Sequence, residues 1–166
     1  MPLNQRYLAV YLNDHLAGSM VGHELAKRAA SSNAGSEYGS FLSELEHEIA
    51  EDRASLQRIM ERFGVKEDKL KTGAAFVGEK LGRLKPNAQL TGYSPLSRVV
   101  EIEMLALGVT GKLALWRSLR TVADADERLD AEELEVLAQR AERQQEGLET
   151  HRLTAVEEAL AAPRPA

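Results

Sequence analysis

Four long stretches with helical hydrophobic spacing, joined in two pairs by short loops, are the feature that most limits how this chain can fold. The first stretch runs from about Asn4 to Ala30 and the second from about Glu37 to Phe63, with only "SSNAGS" between them. A loop that short makes two long helices pack side by side in opposite directions. The sequence therefore predicts an antiparallel helical hairpin over residues 4–63.

A second pair of helices is predicted in the last 73 residues of the chain, over 94–166. Ser94 followed by Pro95 is a strong helix start, because serine caps a helix well and proline fits its first turn. This third helix should reach about Thr121. After the loop "ADADERL", Asp130 and the "DAEE" capping box open a fourth helix that runs to about Ala161, before "APRPA".

A segment of about thirty residues, "GVKEDKLKTGAAFVGEKLGRLKPNAQLTGY", connects the two hairpins. A structureless connection of that length is uncommon in a compact domain. Residues with helical spacing inside it predict a short amphipathic helix, and they are Leu70, Ala74, Val77, Leu81 and Leu84. Six basic residues against three acidic ones make the segment either a solvated surface or an anion-binding face.

Two hairpins joined by a long crossover resemble the ferritin-like fold, in which the crossover makes the second and third helices parallel. The resemblance covers nearly the whole chain through the length and order of the helices. It implies an all-α, up-down four-helix bundle with a long crossover that carries the short extra helix. We expect one bundle domain over residues 1–162 and a disordered C-terminal tail over 163–166.

Composition narrows the classes of function. The net charge of -5 argues against general binding to nucleic acid or to an anionic membrane. The sequence contains no apolar run long enough to span a membrane, and it lacks the basic, apolar start typical of a secretory signal. We therefore expect a cytoplasmic protein. The absence of cysteine leaves His, Asp and Glu as the plausible metal ligands.

The third helix carries a carboxylate in an apolar surface. Each residue of a helix turns about 100 degrees from the last, so the residues that share a face can be computed. The stripe expected to face inward contains Leu96, Val99, Val100, Glu103, Ala106, Leu107, Thr110 and Ala114. The opposite side carries Glu101, Leu105, Gly108, Lys112, Trp116 and Leu119. A helix apolar on nearly every side predicts that the crossover or a second subunit covers the other face, and we expect a homodimer.

Ionisable side chains are also expected on the inward faces of the other three helices. The helical projection places His15 inward on the first helix, and Asp52 inward on the second with Glu48 one turn away. On the fourth helix, Arg152 falls inside the apolar stripe and His151 at its edge. Pairing residues across each hairpin loop puts these groups and Glu103 near one level of the bundle.

One interpretation of this level is a buried ion-pair layer. Arg152 would bridge Glu103 and Asp52, because a buried carboxylate needs a cation nearby. His15 would complete the hydrogen bonds. No cofactor is expected in that case, and the protein would have a structural or interaction-based role and no enzymatic one.

The alternative interpretation is an iron or manganese site. Ferritin-like metal proteins use a Glu from helices one and three and Glu-x-x-His from helices two and four. The resemblance then implies a metal held by His15, Glu48, Asp52, Glu103 and His151, for metal oxidation, storage or redox chemistry.

The chain departs from the metal pattern at three of its four positions. On the first helix, His15 stands where the pattern has Glu. The second helix contains Glu44-x-x-His47 as a string, but His47 falls on its outer face. On the fourth helix Arg152 stands where the pattern has His, and a guanidinium cannot bind a metal.

Overall fold

The structure, a computed structural model, describes residues 2–72, 79 and 92–161. Its helices are α1 (Gln5–Ser32), α2 (Glu37–Arg62), the short α3 (Lys69–Thr72), α4 (Pro95–Thr121) and α5 (Ala131–Leu160), with a 3-10 turn at Ala123–Ala125. No strand occurs among these residues. The predicted all-α class and four-helix bundle are confirmed. In the described part of the chain, no helix combines the length and apolar character needed to cross a membrane.

Side-chain caps at the helix starts explain why the long helices begin where they do. Asn4 accepts a hydrogen bond from the Tyr7 amide at 3.2 Å. Asp130 accepts from two amides at the start of α5. At α4 the box is formed by Ser94 and Ser97, whose hydroxyls each accept from the other's amide. These bonds satisfy amides that have no partner within the helix, so the three predicted start positions are correct.

Contacts between the hairpins set the direction of each helix. Arg28, late in α1, donates to Glu101, early in α4, at 3.0 Å, so α1 and α4 are antiparallel neighbours. Arg62, at the end of α2, donates to Glu133, at the start of α5, at 2.6 Å. Because each helix is also antiparallel to its hairpin partner, α2 and α4 run in the same direction.

The face of α4 that enters the core is opposite to the predicted one. Leu105, Trp116 and Leu119 are buried by the bundle of this same chain. Leu107, in the stripe expected to face inward, is 66% exposed, and Glu103 is exposed too. The physical reason is size, because the buried face carries the indole and large leucines, whereas the outer face carries several small or polar residues.

The homodimer that we expected from the apolar surface of α4 stays a prediction. The chain itself covers the face that a partner was expected to cover. Leu107 remains as an exposed large apolar side chain on the outer face of that helix. Sedimentation equilibrium would measure the oligomeric state.

The predicted extra helix lies mostly outside the described residues. Its first member, Leu70, falls in α3 and is 89% exposed. Just before it, the Asn13 side chain donates to the Lys66 carbonyl at 3.1 Å and accepts from the Asp68 amide at 2.7 Å. The start of the connection is therefore bound to α1. The proposed tail over 163–166 also lies outside the described residues.

A close approach in the first hairpin generates a stability prediction. A Cβ added to Gly39 would lie 2.3 Å from the Asn33 carbonyl oxygen, and that backbone atom cannot move cheaply. At Gly108 an added Cβ would meet nothing within 4 Å. We expect Gly39→Ala to destabilise the fold by about 1 to 3 kcal/mol, and Gly108→Ala to stabilise it by up to about 1 kcal/mol through helix propensity. Urea unfolding of both variants measures the contrast, and equal effects would contradict the described hairpin loop.

Candidate functional site

A network of polar side chains occupies the middle of the bundle. Asp52 of α2 is 2% exposed, and the Lys112 ammonium of α4 lies 2.5 Å from its Oδ2. The same ammonium donates to Gln144 Oε1 on α5. Gln144 Nε2 donates in turn to Glu48 Oε2 at 2.7 Å, and Arg140 Nη1 lies 3.4 Å from Asp52 Oδ1. We call Glu48, Asp52, Lys112 and Gln144 the central network.

Helical spacing brings these groups together. Asp52 lies four residues after Glu48, and Gln144 lies four residues after Arg140, so each pair shares one face of its helix. Because α2 and α5 are antiparallel, those two faces meet. Lys112 reaches the same point from α4. Three helices thus contribute side chains to one hydrogen-bonded group.

The electrostatics of the network are those of a buried ion pair. Burial lowers the pKa of Lys112, and the Asp52 and Glu48 carboxylates oppose that shift. A buried carboxylate is costly unless a cation and further hydrogen bonds satisfy it. Lys112 provides the cation for Asp52, and Gln144 bridges the two carboxylates with its amide donors. Asp52 Oδ1 has no hydrogen-bond partner among the described residues, and Arg140 Nη1, at 3.4 Å, is the second positive charge beside it. Loss of Lys112 would therefore leave the buried Asp52 carboxylate with a larger desolvation cost.

The predicted ion pair between Glu103 and Arg152 exists, but at the surface. Arg152 Nη1 lies 3.7 Å from Glu103 Oε1, and the Glu103 side chain is 49% exposed. Arg152 makes shorter bonds to Glu149, at 2.6 and 2.8 Å. The prediction that Arg152 also bridges Asp52 is wrong, because Lys112 is the cation there. The error follows from the choice of the wrong face of α4.

The residues predicted to hold a metal are dispersed. His151 stacks on the ring of Phe41 with centroids 3.9 Å apart, and Glu103 lies on the outer face of α4. His15 lies on α1, while Glu48 is held by Gln144. Within residues 2–72, 79 and 92–161, no group of three or more His, Asp or Glu side chains is arranged to hold a metal ion. The predicted five-residue set is therefore not assembled.

A cleft of about 240 Å³ lies beside the central network, between α1, α2 and α4. Four glycines line it, Gly18 and Gly22 on α1 and Gly108 and Gly111 on α4. A Cβ added to any of them would meet nothing within 4 Å. Because glycine has no side chain, the space where α1 and α4 face each other stays open. Ile49, Leu56, Leu105, Val109, Leu115 and Trp116 supply apolar walls.

A few polar groups lie in the walls of this cleft. Trp116 is 1% exposed, and its Nε1 has no hydrogen-bond partner among the described residues. Asp52 and Lys112 line the cleft from the central network, and His15 lines it from α1. Burial lowers the pKa of His15, so its imidazole is neutral at neutral pH. The cleft is thus mostly apolar.

A second buried carboxylate, Glu101, anchors one end of the bundle. Its two oxygens accept from Arg28 Nε at 3.0 Å and from the Tyr93 hydroxyl at 2.9 Å. Tyr93 accepts from Asn33 Nδ2 at 2.8 Å, and Asn33 Oδ1 accepts from Arg98 Nε at 2.7 Å. Burial raises the pKa of Tyr93, so its hydroxyl stays protonated as a donor. The network ties the loop of the first hairpin to the start of α4.

Sequence reasoning missed Lys112, Gln144 and Glu101 as members of buried networks. Lys112 and Glu101 had been placed together on one face of the third helix, and that face also carries the largest apolar side chains. A prediction that took side-chain size into account would have placed Lys112 and Glu101 on the buried face. Gln144 carries no such signal, because a neutral amide on an amphipathic helix is ordinarily at the surface.

Comparisons with models of protein families, with curated proteins and with solved structures found no match to this chain. No family is therefore assigned to it. The functional argument starts from the central network and from the cleft.

The buried ion pair generates a prediction for stability. Lys112→Met leaves Asp52 buried without its ammonium, so we expect the fold to lose about 3 to 5 kcal/mol. Adding Asp52→Asn should restore part of that loss, since the amide carries no charge. Arg152→Met is the matched control, because this arginine pairs at the surface, where ion pairs contribute little. Denaturant unfolding measures the cycle, and additive effects of the two central substitutions would show that Lys112 and Asp52 do not interact.

The lowered pKa of His15 predicts a dependence of stability on pH. Burial lowers the pKa from its ordinary 6.5, and the Asp14 charge opposes part of the shift. As the pH falls below that value, the unfolded chain takes up a proton before the folded one, so the folded protein loses stability. We expect His15→Gln to reduce the loss measured between about pH 7.5 and about pH 5.5 by urea unfolding. The same loss in both proteins would contradict this assignment.

Proposed function

We propose that this protein is a ferritin-like helical bundle in which the Lys112 ammonium stands where related metal proteins hold a metal ion. Its role is then structural or interaction-based, with a buried ion-pair layer in the middle of the bundle. The observation that supports this proposal is the position of Lys112 Nζ, 2.5 Å from Asp52 Oδ2 and bonded to Gln144. Parallel α2 and α4, and the order of the helices, support the ferritin-like arrangement.

The chemistry of the donors fits an ammonium. Lysine carries three protons and no acceptor, so it binds oxygen atoms that converge from different helices. Here a carboxylate of α2 and an amide oxygen of α5 converge on it. A divalent ion placed beside the same oxygens would be repelled by this fixed positive charge.

The neighbouring residues support the same assignment. Gln144 contributes its oxygen to Lys112 and its nitrogen to Glu48, so both ends of the amide are used. In this orientation Glu48 accepts a hydrogen bond from Gln144. Glu48 would have to lose that hydrogen bond in order to bind a metal ion. Arg140, one turn before Gln144, adds a further positive charge near Asp52.

The alternative, an iron- or manganese-binding carboxylate protein, has weaker support. It requires carboxylates from at least two hairpins to converge on one point. Glu103, the carboxylate that the second hairpin would provide, lies on the outer face of α4 and pairs with Arg152. Asp52 and Glu48 both belong to α2.

The test compares the response of two proteins to divalent ions. For the wild-type chain, purified without chelator, we expect no stoichiometric iron or manganese and an unchanged melting temperature when Mn²⁺ or Fe²⁺ is added. In Lys112→Met, the oxygens of Asp52 and Gln144 lose their cation. We therefore expect Mn²⁺ to raise the melting temperature of this variant but not that of Arg152→Met, its matched control.

Two results would contradict the proposal. Stoichiometric metal in the wild-type protein, measured by elemental analysis, would mean that Lys112 does not replace the ion. A Lys112→Met variant that folds, by circular dichroism, and gains nothing from Mn²⁺ would mean that these oxygens are not a vacated cation position.

A further inference from the structure

We propose that the cleft between α1, α2 and α4 is the docking site for residues 73–91 of this same chain, which connect the two hairpins. Apolar side chains of that segment pack into the cleft, with Val77 beside Gly22 and Gly108. Residues 73–91, apart from Glu79, lie outside the described part of the chain. The supporting observations come from the described residues at both ends of the segment and in the cleft.

Two buried asparagines bind the two ends of this connection. Asn13 of α1 donates to the Lys66 carbonyl at 3.1 Å and accepts from the Asp68 amide at 2.7 Å. Asn33, which caps the end of α1, donates to the Tyr93 hydroxyl at 2.8 Å. The connection therefore begins at the level of Asn13 and returns to the bundle at the level of Asn33.

The side of α1 on which the connection ends is fixed as well. The Tyr93 hydroxyl also donates to Glu101 of α4 at 2.9 Å, so Tyr93 lies between α1 and α4. The levels of Asn13 and Asn33 are about 30 Å apart, because each helical residue rises about 1.5 Å. The chain from Thr72 to Gly92 has the length to cover about 30 Å in helical form.

The cleft lies on this path, between α1 and α4 and between the levels of the two asparagines. Gly18 and Gly22 line it from α1, and Met104 and Gly108 line it from α4. Its apolar walls are open to water, since Gly18 and Gly108 are exposed and Met104 is 36% exposed. Apolar surface in water is unfavourable. An apolar segment of chain that passes alongside therefore gains free energy by packing into the cleft.

Val77 has the height along the bundle that matches the cleft. Gly22 lies nine residues after Asn13, and Val77 lies nine residues after Asp68, which Asn13 binds. At helical rise both intervals are about 13 Å. Val77 also belongs to the apolar stripe that predicts a helix in this segment. Leu70, the first member of that stripe, is 89% exposed and takes no part in the contact.

The test uses disulfide formation, because the chain contains no cysteine of its own. Gly108→Cys places a thiol in the cleft, where an added Cβ meets nothing within 4 Å. Val77→Cys places a second thiol in the segment. A disulfide requires two Cβ atoms about 4 Å apart. We expect the double variant to form an intrachain disulfide under mild oxidation, identified by mass spectrometry of its peptides.

Thr110→Cys is the matched control for Gly108→Cys. Thr110 is exposed, lies two residues further along α4 and accepts a hydrogen bond from Gln145 of α5, away from the cleft. We expect its pair with Val77→Cys to form the intrachain disulfide at least about tenfold more slowly, because the effective concentration of the two thiols is lower. If Gly108→Cys fails to fold by circular dichroism, Gly18→Cys presents the thiol from α1.

Three outcomes would overturn the inference. Disulfides between chains, seen as dimers in non-reducing electrophoresis, would mean that a second copy occupies the cleft. Equal rates of the intrachain reaction with Gly108→Cys and with Thr110→Cys would mean that the segment does not lie there, and so would the absence of any disulfide in both pairs. None of these results bears on whether Lys112 takes the place of a metal ion, because the metal experiments measure that separately.

Discussion

The contact between the Lys112 ammonium and the Asp52 carboxylate is the interaction on which the rest of the bundle depends. Neither charge could remain in the interior alone, because the free-energy cost of desolvating it would exceed the stabilisation that packing provides. Their pairing fixes α4 against α2, and Gln144 extends the same bonds to α5. Three of the four long helices are held at one level by polar groups, and the apolar layers above and below pack around that level.

The position of Lys112 also sets the rotation of α4 about its own axis. Eleven residues make just over three full turns of a helix, so Glu101 must share the face of Lys112. Glu103, two residues further on, must then point away. The surface pair of Glu103 with Arg152, the buried network of Glu101 with Arg28 and the burial of Trp116 are therefore consequences of one rotation.

The helices and their starts could be predicted from the sequence because their signals are local. Asn4, Ser94 and Asp130 cap their own helices, and the inward position of Asp52 follows from the clear amphipathic pattern of α2. The face of α4 could not be read from periodicity, because apolar residues surround that helix. A lysine is normally at the surface. Lys112 could therefore be placed in the interior only if its partner on another helix were already known. The cleft was also beyond sequence reasoning, because a glycine shows neither what faces it nor how far away the neighbouring helix lies.

The cation at the middle of this bundle is part of the chain, and that has a consequence for how its stability responds to surroundings. A fold that holds a free metal ion gains stability according to the ratio of ion concentration to dissociation constant, so dilution, chelation or scarcity weakens it. An ammonium attached to α4 is present at a fixed stoichiometry in every molecule. The presence of the cation in this layer therefore does not depend on the concentration of any free ion.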